Sequence, residues 1–187
     1  MRLYSITPDL ERYLSVSETA ASAAARPAPI EADFMPGPKA KGWSPIALEW
    51  AVDAGDVVAD VPDIAHYGAG EFAVRASVAD LLRPALADCA EFLPATFDGD
   101  PWFIINVTNA QPIFDADNSQ RRLRANGKPS RLFTRLVLRP EAIGDGRLFC
   151  APGLAGYTFT TDQAGSLLQL VEQHGLSGLK FTPYQPA

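Results

Sequence analysis

The stretch that most constrains the fold is the last one, Tyr157 to Tyr184. Tyr157, Phe159 and Thr161 alternate with Thr158 and Thr160, the period of two of a half-buried strand. Asp162 then stands where an N-cap belongs, its carboxylate available to an orphan amide N–H. Leu167, Leu168, Leu170 and Val171 give the apolar face of a short helix. Gly175 stops that helix, because glycine alone enters the left-handed conformation without steric cost. Leu176 follows, placed to touch Val171 across the cap, and Leu179-Lys180-Phe181-Thr182 resumes the alternation until Pro183 ends it. A strand, a capped helix and a second strand in so few residues commit this part of the chain to a layered fold.

The same grammar occurs earlier. Phe72 and Val74 alternate with Ala73 and Arg75, and Ser77 takes the cap position. Val78, Leu81, Leu82, Ala85, Leu86 and Cys89 form a helical stripe, Phe92-Leu93 returns as a strand, and Pro94 closes it. Pro84 inside the stripe predicts a kink or two short helices. Two strand–helix–strand units predict an α+β fold of mixed, mostly antiparallel sheets with a few short helices; two copies are too few for a solenoid.

Length allows one domain with an N-terminal addition: residues 1–56 as strands with an Ala/Pro-rich surface loop over 17–42, packed on a main domain of 57–187. Arg2 to Ile6 reads as an edge strand, and Thr7-Pro8-Asp9 as the cap of a short helix over Leu10 to Val16. Trp43 to Val52 puts Ile46, Leu48 and Trp50 on one strand face. Asp98-Gly99 and Asn126-Gly127 are turn signals, and Trp102 to Val107 is a central strand covered on both faces. Leu132, Thr134, Leu136 and Leu138 alternate with Arg131, Phe133, Arg135, Val137 and Arg139, a strand whose outer face bears arginine.

Charge is the uneven property. The chain balances at −6, yet residues 121 to 139 hold Arg121, Arg122, Arg124, Lys128, Arg131, Arg135 and Arg139 without one acid. An acidic chain is a poor sequence-independent nucleic-acid binder, so that run points to a phosphate or an acidic partner, or simply to a solvated strand face. Met1 to Ile6 has no apolar signal region, and no stretch approaches the length of a membrane helix; both predict a cytoplasmic protein without membrane contact.

Catalytic chemistry is sparse. Cys89 and Cys150 fall in apolar runs and read as buried thiols, with no partner spacing for zinc or a redox pair. His66 sits in a turn-like stretch, and His174 at the end of the last helix suits the dipole there. Gly68-Ala69-Gly70 is a turn, not a dinucleotide site. Asp98/Asp100 and Asp115/Asp117 have a spacing usable for metal binding or glycosidase chemistry, but both pairs lie among turn residues. No cofactor, metal or catalytic residue is expected.

The order of these elements resembles the Imm11-type immunity proteins of bacterial polymorphic toxin systems. The matching features are Val61-Pro62-Asp63-Ile64, the strand and capped helix of Val74 to Leu82, and Glu91-Phe92-Leu93-Pro94. Trp102 to Val107 with Asn106, Phe114-Asp115 and Asn118-Ser119, and Leu136 to Ile143 with Leu148-Phe149 follow, and the C-terminal Gly175 to Pro183 completes the series. The N-terminal 56 residues depart from the pattern, as do Ala76 and Pro84. The resemblance implies a non-enzymatic protein that binds and neutralises a cognate toxin encoded beside it.

Given such a partner, Asp53, Asp56, Asp60 and Asp63 cluster where a basic toxin would dock, and Trp43 and Trp50 are candidate anchors. Two other readings compete. A small carboxylate-dependent hydrolase requires Asp115 and Asp117 to converge with a histidine, and a secretion- or effector-associated adaptor requires a large exposed apolar patch.

Overall fold

The computed structural model describes residues 1–25, 37–51, 59–68 and 70–186. The class is α+β, with short helices and mostly antiparallel sheets. Six strands close a small barrel: β2 (Ser15–Glu18), β3 (Ile46–Ala51), β4 (Ile64–Tyr67), β5 (Glu71–Arg75), β6 (Ala90–Phe97) and β7 (Asp100–Val107), in the order β2-β3-β6-β7-β5-β4. Two of its pairings, β3 with β6 and β2 with β4, are parallel. A second sheet runs β10-β11-β1-β12, from β1 (Leu3–Pro8), β10 (Phe149–Cys150), β11 (Thr158–Thr161) and β12 (Leu179–Pro183). β8 (Gln120–Leu123) and β9 (Pro129–Arg135) form a separate two-stranded sheet among the described residues.

Both strand–helix–strand units form, and both are split in the same way. β5 and β6, joined through helix α2 (Ala76–Leu86), flank β7, which is antiparallel to both. β11 and β12, joined through helix α3 (Leu167–His174), flank β1, also antiparallel to both. The inserted strand follows its unit in sequence in the first case and comes from the far N-terminus in the second. β1 is therefore a central strand and not the edge its sequence suggests. The boundary at 56/57 falls outside the described residues; strands on either side of it share both sheets.

The core has three compartments. Inside the barrel lie Val16, Ile46, Leu48, Leu93, Trp102 and Ile104, with alanines 65, 73 and 95 where the walls come close. Between the barrel and the second sheet, α2 and α3 bury Val78, Leu82, Leu86, Leu167, Leu170 and Val171 against Phe72, Ile105 and Ile6. Beyond that sheet, Leu3, Phe149 and Phe159 pack with Ile113, Leu138 and Leu154. Leu3 and Ile6 thus serve opposite faces of one strand, as odd spacing along a pleat requires.

β11 is consequently covered on both sides and is not half-buried. All four of its residues are buried, and its threonines donate to backbone oxygens: Thr158 to Gly70 at 2.9 Å, Thr160 to Arg147 at 2.7 Å and Thr161 to Gly146 at 3.1 Å. Such pairing removes the penalty of an unsatisfied hydroxyl.

Several local expectations are corrected. Asp162 does not cap α3; its carboxylate accepts from the Arg2 N–H at 2.8 Å, and Ser166 caps instead, accepting from Gln169 N at 3.2 Å. Gly175 does end α3, at φ 63°, and Leu176 N–H returns to Val171 O at 3.0 Å. Ser77 is inside α2, because β5 runs directly into the helix at an extended Arg75. α2 continues through Pro84 as one helix: Pro84 and Asp80, whose carbonyl loses its donor, both face solvent, where water can replace the bond. Leu81 of the predicted stripe is exposed, and Ala79 is buried in its place. Pro94 lies within β6.

Residues 10–16 form a turn and the start of β2, not a helix; Arg12 and Tyr13 N–H both bond Asp9 O. The supposed 17–42 loop contains the end of β2 and helix α1 (Ala20–Ala25). Thr19 Oγ1 caps α1 through Ser22 N–H, and Ser22 Oγ accepts from Ala47 N–H, tertiary support that an isolated helix of this length lacks. The Asp98-Gly99 turn joins β6 to β7 with φ 51° and 87°, both positive as a two-residue hairpin turn prefers.

Candidate interaction surfaces

Of the four acids expected near an interface, Asp60 and Asp63 fall within the described residues. Asp53 and Asp56 lie outside the described residues. Asp60 is exposed, its backbone bridging Arg12 and Leu14. Asp63 is engaged within the fold: its carboxylate accepts from Ser177 N–H at 2.9 Å and Ser177 O–H at 2.7 Å. Trp43 and Trp50 are both half-buried against the barrel-interior cluster. Trp50 forms an aromatic triad with Phe97, tilted at 4.9 Å, and Trp102, edge-on at 6.0 Å between ring centres.

Trp43 walls a surface cavity of about 470 Å³ with Ala40, Pro45, Arg83, Phe92 and Pro94. Its indole N–H donates to Pro94 O at 2.9 Å. Beside it, Glu91 gathers the Lys39 N–H at 2.6 Å, the Ala40 N–H and the Asn106 amide at 2.9 Å. Burial alone would raise the Glu91 pKa, but those donors and the Lys39 charge outweigh it and hold the carboxyl below its ordinary range. Asn106 also donates to Gly37 O, and Lys39 Nζ pairs with Glu71. These bonds pin residues 37–40 across β6 and β7. Asn106 is 3 % exposed, so the arrangement is a strap anchored on a buried amide.

A polar knot that sequence reading missed closes the far end of α2. Arg147 donates to Ala85 O at 2.6 Å and to Asp145 from both Nε and a terminal nitrogen. Asp145 also accepts from Cys89 Sγ at 3.3 Å, and Asn109 donates to Asp145 O and Leu148 O. Hydrogen bonding from Arg147 overcomes burial and brings the Asp145 pKa down to about 2. Burial, reinforced by Asp145, pushes the Cys89 thiol up to about 11. A fully buried thiol of that basicity is a structural group, not a nucleophile. Cys150 is likewise buried, free and raised by burial. The contributors come from three separate segments, which no local motif could have joined.

The carboxylate pairs remain in turns. Asp98 and Asp100 border the β6–β7 hairpin turn. Asp115 accepts from Asn118 N and Nδ2 at 3.1 and 2.9 Å, an Asx turn, and these bonds from Asn118 lower its pKa. His66 lies on β4, not in a turn, and burial lowers its pKa. His174 ends α3 as expected. Among the described residues, no group of three or more His, Cys, Asp or Glu is arranged to hold a metal, and no helix is long and apolar enough to cross a membrane.

Most of the basic run lies on the β8–β9 hairpin; its arginines are exposed as expected, but Leu132 and Phe133 exchange their expected faces. Leu132 is 56 % exposed, whereas Phe133 turns inward to Phe114 at 5.6 Å and Tyr157 at 6.1 Å. The reason is that β9 has no core on its Leu132 face; aromatic packing on the other face decides the orientation. Arg121 lies over the Phe133 ring at 4.5 Å and donates to Gly153 O at 3.0 Å, fixing the base of the hairpin.

Compared with known proteins, the chain matches no protein-family model and no curated relative.

Proposed function

We propose that this protein is an immunity protein of the Imm11 type, which binds and neutralises a cognate antibacterial toxin by protein–protein contact in the cytoplasm of the producing cell. No reaction and no cofactor is required of it. The main support is the way the two most distant resembling segments lie against each other. Val61-Pro62-Asp63-Ile64 meets Gly175 to Pro183 through the Asp63–Ser177 bonds, and Ile64 N–H donates to Ser177 O at 3.0 Å. Residues that carry the resemblance thus hold the scaffold together and leave the surface to recognise a partner, as inhibition by fit requires.

Co-expression of the tagged chain with the product of the adjacent reading frame tests this. A stable complex on purification, together with restored growth of cells expressing that product, is the expected result. No complex at micromolar concentrations and no protection overturns it.

A further inference from the structure

We propose that the β8–β9 hairpin is a docking arm for a carboxylate-rich protein surface with an apolar centre. On the reading above, that surface belongs to the toxin, and this inference rests on that reading.

The hairpin presents much more charge than the fold uses. Among the described residues, none of Arg122, Arg124, Lys128, Arg131 and Arg135 takes part in an ion pair; the salt bridges involve Lys39, Arg83, Arg147 and Lys180. All five are exposed, and no acid interrupts residues 121 to 139. Gathering five like charges on one two-stranded ribbon costs self-repulsion that an acidic partner would relieve. Two large apolar side chains stand among them, Leu123 63 % and Leu132 56 % exposed. Single exposed leucines are ordinary, but here they share a ribbon with the unpaired cations and belong to none of the three core clusters.

The combination selects the class of partner. Protein interfaces favour arginine around an apolar centre. Single-stranded nucleic acid needs exposed aromatic rings to stack on, and Phe133 is turned into the body of the protein. A duplex meets a chain whose other residues together carry −13. The ribbon's base is fixed separately from its outer residues: register irregularities fall at Gln120/Arg121 and Arg121/Leu123, and Arg121 and Phe133 anchor the base, so substitutions further out leave the core contacts in place.

The test titrates the purified adjacent-gene product with three forms of the full chain: wild type, the charge reversal R122E/R124E/K128E/R131E, and L123S/L132S. The reversal is expected to lower the association rate at least tenfold and to flatten its salt dependence; the leucine variant is expected to speed dissociation about tenfold. A milder R122Q/R124Q/R131Q variant, expected to bind three- to tenfold more weakly, decides the matter should the reversal fail to fold. Wild-type binding that all variants retain overturns the docking arm and leaves the toxin-binding reading standing. Absence of wild-type binding overturns both. Binding of wild type to a 20-base-pair duplex at 150 mM salt, lost in the reversal, assigns the arm to nucleic acid and overturns the protein-surface proposal.

Discussion

Asp63 and Ser177, 114 residues apart, clasp each other reciprocally: the carboxylate accepts the Ser177 N–H and O–H, while the Asp63 N–H approaches Ser177 Oγ at 3.1 Å. This clasp fastens the start of the barrel strand β4 to the loop entering β12, joining the two sheets.

Asp63→Ala removes a charged acceptor that serves two donors, each bond of that kind contributing about 1.5–3 kcal/mol. The expected loss of stability is about 3 kcal/mol, the lower end of that sum because Asp63 is half-buried, read as a lower urea midpoint at unchanged slope. Ser177→Ala keeps the backbone donor but loses the hydroxyl bond and the acceptor of the Asp63 N–H, and is expected to cost about 1.5–2 kcal/mol. An unshifted midpoint in Asp63→Ala would show that the clasp contributes nothing. Asp63 is accordingly unsuited to binding tests, and Asp60 is the exposed acid on which a charge reversal reads association alone.

Gly178 sits one residue further on with φ 110°, and a Cβ there would lie 2.0 Å from Ile64 O and 2.8 Å from Pro62 Cβ. The backbone oxygen cannot yield. Gly178→Ala combines strain with collision, and the expected cost is about 3–4 kcal/mol. Gly127→Ala is the comparison: φ is 75° but no atom lies within 4 Å, so only the left-handed strain of about 1 kcal/mol remains. Equal thermal shifts for the two variants would refute the steric account.

Asp145 makes stability depend on acid. Its folded pKa of about 2 lies below the ordinary value of 3.8, so its contribution is complete above about pH 4 and is lost as pH falls toward 2. The side chain is 34 % exposed, and solvent screening limits the effect to about 1 kcal/mol. Asp145→Asn is expected to lose about that much at pH 7 and to show a flatter decline between pH 4 and 2. Parallel pH profiles for the variant and wild type would exclude Asp145 as a source of the acid limb.

Cys89 shifts the other way. A thiol raised from 9.0 to about 11 keeps its proton longer when folded, so its contribution is complete below about pH 9 and declines as pH rises through 11. With both cysteines buried, a disulfide-exchange reagent at pH 8 is expected to count no reactive thiol in the native chain and two in denaturant. Rapid native reaction at either thiol would mean that its site opens without unfolding.

Elements whose signals are local were legible along the chain. A period-two run gave β5, a continuous apolar run gave β7, the glycine at 175 gave the end of α3, and Asp98-Gly99 gave the turn between β6 and β7. Charge counting picked out the basic run, because charge is additive along a chain. Cap choice was less legible: Asp162 and Ser166 are equally good N-caps by type, and the bond between Asp162 and Arg2, 160 residues away, decided between them.

Tertiary structure alone decided which strand enters each split unit, since a strand carries no label for its neighbour. Thus β1 reads as an edge from its position yet sits between β11 and β12. It also decided what became of the candidate residues. Asp63 was drawn inward by a serine far along the chain, Phe133 by Phe114 and Tyr157, and the arginines of β8 and β9 were left exposed, without an ion pair among the described residues. Hydrogen bonds and ring contacts act over a few ångströms of space without regard to separation along the chain, so the destinations of these side chains became fixed only when the layers closed.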